Sequence, residues 1–130
     1  MILLDTHIWV WWINSSAKLT PKQLAVIQQH LAIGLAVSVI SCWEVAKLAT
    51  LGRLNLFLPV DQWLRLGLSR PGVRLVDLTP AIALEANRLP GKFHRDPADQ
   101  ILVATARELN LPLLTADAKI LAYSHVQTLP

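Results

Sequence analysis

The stretch PADQILVATARELNLPLLTAD, residues 97–117, carries a helix, a stop signal and a buried strand in direct succession. Asp96 ahead of Pro97 is a helix start, because the carboxylate accepts from free backbone N–H groups and proline suits the first helical position. Ala98, Ile101, Leu102, Val103, Ala104, Ala106 and Leu109 make the helix largely apolar, and Asn110 ends it. "PLLTAD" then reads as a short apolar strand running to Asp117.

Outward from this stretch the alternation repeats. "MILL", residues 1–4, has the composition of a strand buried on both faces. Pro21 to Leu31 reads as a helix with Thr20 as N-cap, Pro21 in the first position and Gly34 just past its end. "LAVSVI", 35–40, reads as a strand that runs into "SCWEVAKLATLG", 41–52. There Ser41 and Glu44 are expected to form a capping box, and Gly52 to stop the helix. Residues 61–68 suit a helix, Pro71-Gly72 a turn, and "VRLVDL" a strand; Thr79-Pro80 opens a helix that ends by Pro90-Gly91. Buried strands alternating with helices predict an α/β fold, a central parallel β-sheet flanked by helices. At 130 residues the chain is expected to form a single domain.

Parallel strands present their carboxyl ends on one edge, and ligands bind there, at the point where strand order reverses. Asp5 ends the first strand and Asp117 follows the last, while Glu44 and Asp99 are placed on helices that start on the same edge. These four acids, distant in sequence, are expected to converge. Each also has a plainer explanation. Asp5 and Asp117 suit helix caps, Glu44 suits a capping box, and Asp96 is the most purely structural of the set. Asp99 resists such a reading, because it sits on an apolar helix with no Lys or Arg three or four residues away in that helix, and a buried carboxylate without a partner is costly. Gathered carboxylates repel one another, and a divalent cation removes that penalty. All-oxygen ligands suit Mg²⁺ or Mn²⁺ rather than zinc. His7 and His94 lie near the cluster and are expected to be solvated. Trp9, Trp11 and Trp12, close behind Asp5, are expected in the core or a subunit interface rather than stacked on bases.

Composition narrows the possibilities. The apolar fraction of 53% predicts extensive burial, and the single cysteine, Cys42, excludes an internal disulfide and fits a reducing, cytoplasmic setting. Gln23 to Trp43 has no Asp, Glu, Lys or Arg, yet Gln28, Gln29, His30 and Gly34 interrupt it. Its longest apolar run falls short of the roughly 20 residues a spanning helix needs, so no membrane role is expected. Asp5 follows only four residues with no basic region before them, which does not suit a signal peptide. Neither a phosphate-cradling glycine loop nor a zinc-binding Cys or His pattern is present. The net charge is +3, but five of the nine acids are the motif candidates Asp5, Glu44, Asp96, Asp99 and Asp117. Gathering them in one place leaves the rest of the surface basic and attractive to a polyanion.

Taken together, "LLDTHIWVWW", "SCWEVAKLATLGRLNL" and "LTPAIALEANRLPGKFHRDPADQILVATARELNLPLLTADAKI" resemble the PIN-domain toxins of the VapC type, from bacterial and archaeal toxin–antitoxin pairs. The resemblance spans nearly the whole chain and rests on the combination of DTH, SxxE, RDPxD and TAD. It implies a PIN-like three-layer fold, an Mg²⁺- or Mn²⁺-dependent ribonuclease acting on RNA, inhibition by a small cognate antitoxin, and a homodimer built partly from the helices after the first two strands. Catalytic roles carry over to Asp5, Glu44, Asp99 and Asp117. Asp5 and Asp99 are the main metal ligands, Glu44, Asp117 and Asp96 further ligand candidates, and Thr6 and Thr115 supporting hydroxyls. Gln100 departs from the pattern, since Arg is common there. A receiver-like or catalytically silent α/β binding module is the competing expectation. A receiver would need paired acids after the first strand and a lysine after the last, and Asp5 stands alone.

Overall fold

The computed structural model describes residues 1–130. Five strands, β1 (Ile2–Leu4), β2 (Leu35–Ser38), β3 (Val73–Val76), β4 (Leu113–Leu114) and β5 (Thr128–Leu129), form one sheet in the order β3-β2-β1-β4-β5. Every pairing is parallel; Leu3 of β1 stands opposite Ala36 of β2 on one side and Leu113 of β4 on the other. The expected parallel α/β architecture is therefore present. Between the strands run α1 (Thr6–Ile13), α2 (Pro21–His30), α3 (Val39–Thr50), α4 (Val60–Ser69), α5 (Pro80–Ala86), α6 (Pro97–Leu109) and α7 (Ala118–Leu121).

Strand side chains alternate between faces, so the central strand feeds two cores. Ile2, Leu4, Leu35 and Val37 pack with Ile8, Trp9, Ile27 and Trp63 on one face. Leu3, Ala36 and Leu113 pack with Leu102, Val103, Ala106 and Tyr123 on the other. This makes three layers: helices, sheet, helices. In the first helical layer α4 approaches Trp9 closely. A Cβ on Gly67 would come within 2.8 Å of the Trp9 Cζ2 atom, and the Trp9 indole N–H donates to the Gly67 carbonyl at 3.2 Å.

Helix ends follow local chemistry. Thr20 and Gln23 form a reciprocal capping box, and Thr79 accepts from the Ile82 N–H. Asn110 ends α6 in the left-handed conformation, φ 53°, which asparagine tolerates. One start differs from expectation. α3 begins at Val39, capped by Ser38, whose hydroxyl accepts from the Ile40 N–H at 3.1 Å; no capping box forms at Ser41 and Glu44. β2 is thus two residues shorter than "LAVSVI" suggested, and it passes into its helix without a loop. The C-terminal strand β5, unmarked in the sequence, closes the sheet beside β4. No helix is long and apolar enough to cross a membrane.

Candidate active site

The strand order places the reversal point at β1. From β1 the chain moves outward through β2 to β3, then returns to β4 on the opposite side of β1. The crevice beyond the carboxyl ends of these strands is where such sheets bind ligands. Asp5 follows β1 directly, Ser38 ends β2, and Thr115 follows β4.

Asp5 is only 4% exposed, and both its oxygens are engaged. One accepts from the Thr6 backbone N–H at 2.7 Å and the other from the Thr115 hydroxyl at 2.7 Å. Burial raises its pKa; the Thr115 and Thr6 donors and nearby His7 oppose the rise, and Asp117 adds to it. Thr115 in turn accepts from the Asp117 N–H at 3.0 Å, so one hydroxyl ties the ends of β1 and β4 together. The Thr6 hydroxyl is hydrogen-bonded to the Ser41 hydroxyl at 2.8 Å, which brings α1 against α3.

Asp99 occupies the first turn of α6, and its own N–H donates to the capping carboxylate of Asp96 at 3.0 Å. Its pKa is pushed up to about 6, by burial first, with the charges of Asp96 and Asp5 adding and the His94 hydrogen bond opposing. His94 Nε2 and Asp99 Oδ2 lie 2.6 Å apart, with side chains 21% and 17% exposed. His94 is therefore a partner of the acid and not the solvated side chain expected. The His94 carbonyl accepts from the Gln100 side-chain amide at 3.1 Å, so Gln100 steadies the turn that carries the imidazole. A histidine five residues before a helix-borne acid, across a capped turn, is a signal that sequence spacing offers but does not single out.

Glu44 lies on the second turn of α3 and caps nothing, which removes its plainer explanation. Burial raises its pKa, the Thr6 hydroxyl opposes, and Asp5 and Asp96 add to the rise. Asp117 does cap: its carboxylate accepts from the Lys119 and Ile120 N–H groups at the start of α7. Asp96, Asp99 and Asp117 line a pocket of about 360 Å³ with His94 and Lys119. Asp5 and Glu44 do not line that pocket, although both sense the other acids electrostatically. As the side chains stand, no three His, Cys, Asp or Glu groups close around a single ion. The expected convergence is thus one of neighbouring charges, not of a finished cage. Ser41, expected in a capping box with Glu44, instead braces Thr6, while Ser38, given no role by its sequence context, starts α3.

The tryptophans divide by depth. Trp9 and Trp63 are fully buried and meet edge to face, with Trp63 donating to the Asn14 side chain at 2.8 Å. Trp11 and Trp12 are half-buried against the same core. Trp43, on α3, is 51% exposed.

The PIN domain family model matches residues 2–126. Ribonuclease VapC22 of Mycobacterium tuberculosis is 37% identical over 124 residues, covering 95% of this chain and 92% of its own length. Among solved structures, VapBC2 of Rickettsia felis bound to a DNA fragment from its promoter matches with a TM-score of 0.73 at 18% identity, covering 99% of this chain and 98% of its own. A toxin–antitoxin complex from Klebsiella pneumoniae matches at 0.68, also at 18% identity, over 100% of this chain and 97% of its own. An all-parallel sheet with acids at its carboxyl edge, a family match over nearly the whole chain and this degree of identity to a VapC protein lead to one assignment: the chain belongs to the PIN-domain family, in its VapC branch.

Proposed function

We propose that residues 1–130 act as one domain, an Mg²⁺- or Mn²⁺-dependent endoribonuclease that serves as the toxin of a cytoplasmic toxin–antitoxin pair. The observation that carries this reading is the environment of Asp5: a buried carboxylate at the sheet's reversal point, fixed through both oxygens and sensed by three other acids, Asp117, Glu44 and Asp99. Support comes from the ribonuclease name of the 37% identical relative and from the toxin–antitoxin complexes that share the fold.

The donors fit a hard divalent cation. They are carboxylate oxygens alone, and three of the groups, Asp5, Glu44 and Asp99, are held above their ordinary pKa by burial first and then by neighbouring acids of the set. Mg²⁺ keeps several waters and takes one or two protein carboxylates, so a loose set of acids suits it better than a closed cage would. Asp5 and Asp99 would hold the ion, with Glu44 and Asp117 completing its surroundings directly or through water and Asp96 remaining the cap of α6. When bound, the ion supplies a polarised phosphate oxygen and a water of lowered pKa. The protein's own groups do the rest. Thr115 and the Thr6 N–H fix the two oxygens of Asp5, His94 fixes one oxygen of Asp99 and leaves the other free, and Ser41 holds Thr6.

The cognate antitoxin is expected to inhibit by covering this edge, with an Arg fork matched to the carboxylates. A homodimer is proposed through α3, where Trp43 and Leu51 are exposed side by side with Ala46 in a shallow depression. Purified protein should cleave single-stranded RNA with Mg²⁺ or Mn²⁺ and stop on addition of EDTA. Asp5→Asn and Asp99→Asn should reduce cleavage to background, and wild-type rates from Asp99→Asn would overturn the assignment.

A further inference from the structure

Beside the acidic pocket lies a second, larger one of about 540 Å³ whose chemistry is opposite. Lys92, Phe93, His94, Lys119, Tyr123 and His125 line it, and no carboxylate does. His94 and Lys119 belong to both pockets, so the two share a wall. Neither Lys92 nor Lys119 has an acidic partner within ion-pair distance.

The rings form a connected series. Phe93 packs on His94 with centroids 4.3 Å apart, Tyr123 meets Phe93 edge-on at 4.8 Å, and His125 lies 5.4 Å from Tyr123. Tyr123 is fixed from below, its hydroxyl donating to the Pro90 carbonyl, while His125 stays exposed. Gly91 also lines the pocket, with a φ of 66° that favours glycine. Tyr123 is buried and Phe93 half-buried, so they back the exposed His125 ring. One open ring on an aromatic bed, with unpaired lysines at the rim and no acid, describes a receptor for a planar base joined to a phosphate.

We propose that this pocket holds the nucleotide next to the scissile phosphate of a single-stranded RNA, its base against the exposed His125 ring, which Phe93 and Tyr123 back, and its phosphate at Lys92 and Lys119. The inference rests on the nuclease reading for the meaning of the adjoining acidic pocket. It adds a direction to the site: the RNA enters the acidic edge from the side of α7 and the 90–95 turn. One base beside the cut is thereby selected by stacking and pocket shape, while its neighbours across the cut are not read here.

Two measurements test this, and both use exposed positions whose replacement leaves the core untouched. A fluorescein-labelled ten-nucleotide single-stranded RNA is titrated into the protein in EDTA and checked for integrity afterwards. Lys92→Ala and His125→Ala should each weaken binding about three- to tenfold, the scale of one lost base or phosphate contact. Lys18→Ala, which removes an equal charge in the turn beyond α1 and outside both pockets, should weaken it less than twofold, about the effect of net charge alone. Equal losses in Lys92→Ala and Lys18→Ala, or unchanged binding in His125→Ala, would overturn the proposal and leave this face to a protein partner. In the second measurement, a single abasic residue is moved along the RNA and cleavage followed with Mg²⁺. Wild type should lose kcat/KM at one position flanking the cut, and His125→Ala should lose that sensitivity. Sensitivity retained in His125→Ala would refute the pocket while leaving the nuclease intact. An absence of cleavage by wild type would refute the nuclease reading, and the binding series would then decide the pocket alone.

Discussion

At the scale of single residues, Asp99 states the tension in the site most clearly. Its folded-state pKa is about 6 against an ordinary 3.8, so between those values the folded protein holds more protons than the unfolded chain. Stability contributed by this group is therefore greatest in acid, falls as pH rises from 3.8 toward about 6, and stays lower above. Asp99→Asn removes the penalty. The variant is expected to melt higher than wild type near neutral pH in EDTA, and the gap should close in acid, where wild-type Asp99 is neutral too. Mg²⁺ should stabilise wild type more than Asp99→Asn, since a ligand bound only by the folded state adds stability. Asp96→Asn should show neither effect strongly, because asparagine also caps and only a minor repulsion on Asp99 is relieved. Thermal unfolding of the three proteins across this pH range, with EDTA and with Mg²⁺, is the measurement. A lower melting point for Asp99→Asn in EDTA, with an equal Mg²⁺ shift in both, would make Asp99 a structural residue. Thr115→Val tests the neighbouring link. It keeps the shape but removes the donor to Asp5 and the acceptor for Asp117, raising an Asp5 pKa that burial has already raised. A loss of about 1–3 kcal/mol in denaturant unfolding is expected, with the ascending limb of the pH–rate profile moved to higher pH. An unmoved profile would mean that Asp5 ionisation does not limit cleavage.

At the scale of elements, the start of α3 decides how Glu44 is understood. Ser38 caps it, so Ser38→Ala should cost about 1 kcal/mol, while Ser41→Ala should leave the helix end intact and cost only its hydrogen bond to Thr6. No loss on Ser38→Ala in denaturant unfolding would restore the later start. The sequence offers two serines three residues apart, and Val39 and Ile40 between them favour a strand by propensity. The pairing of β2 with β3 ends at Ser38, opposite Val76, the last residue of β3, and the earlier start follows there. The same limit hid β5: "VQTLP" carries little strand signal, and the pairing with β4 supplies what Thr128 and Leu129 lack. Elements with strong punctuation were legible. Thr20-Pro21, Thr79-Pro80 and Asp96-Pro97 each open a helix where the caps indicate, and Asn110 closes α6. The acids were legible as a group because strand ends share an edge. Their partners were not legible alike: Thr6 and Thr115 stand out at the ends of β1 and β4, His94 is local to Asp99 but carries no mark, and Ser41 meets Thr6 only through the fold.

At the scale of the whole molecule, charge is sorted by place. Of twelve Lys and Arg, only Arg65 and Arg107 have a carboxylate partner, while five of the nine acids belong to the candidate site or its rim. On the proposed nuclease reading, an RNA would meet an attractive body and a repulsive edge, with its scissile phosphate approaching the repulsive part. Without a divalent cation the two effects oppose each other. Two results follow for the ten-nucleotide RNA in EDTA. Monovalent salt should weaken binding with a log–log slope steeper than about −2, since each phosphate contact on a single strand contributes about −0.7 and at least three contacts are expected. Asp99→Asn, which cannot take part in cleavage, should nonetheless bind RNA more tightly than wild type, because one negative charge facing the phosphate is gone. The comparison separates substrate passage over the acids from binding elsewhere on the basic surface. If wild type and Asp99→Asn bind equally while both respond to salt, the RNA does not cross the edge at which Asp5 and Asp99 stand, and the carboxylates serve the fold.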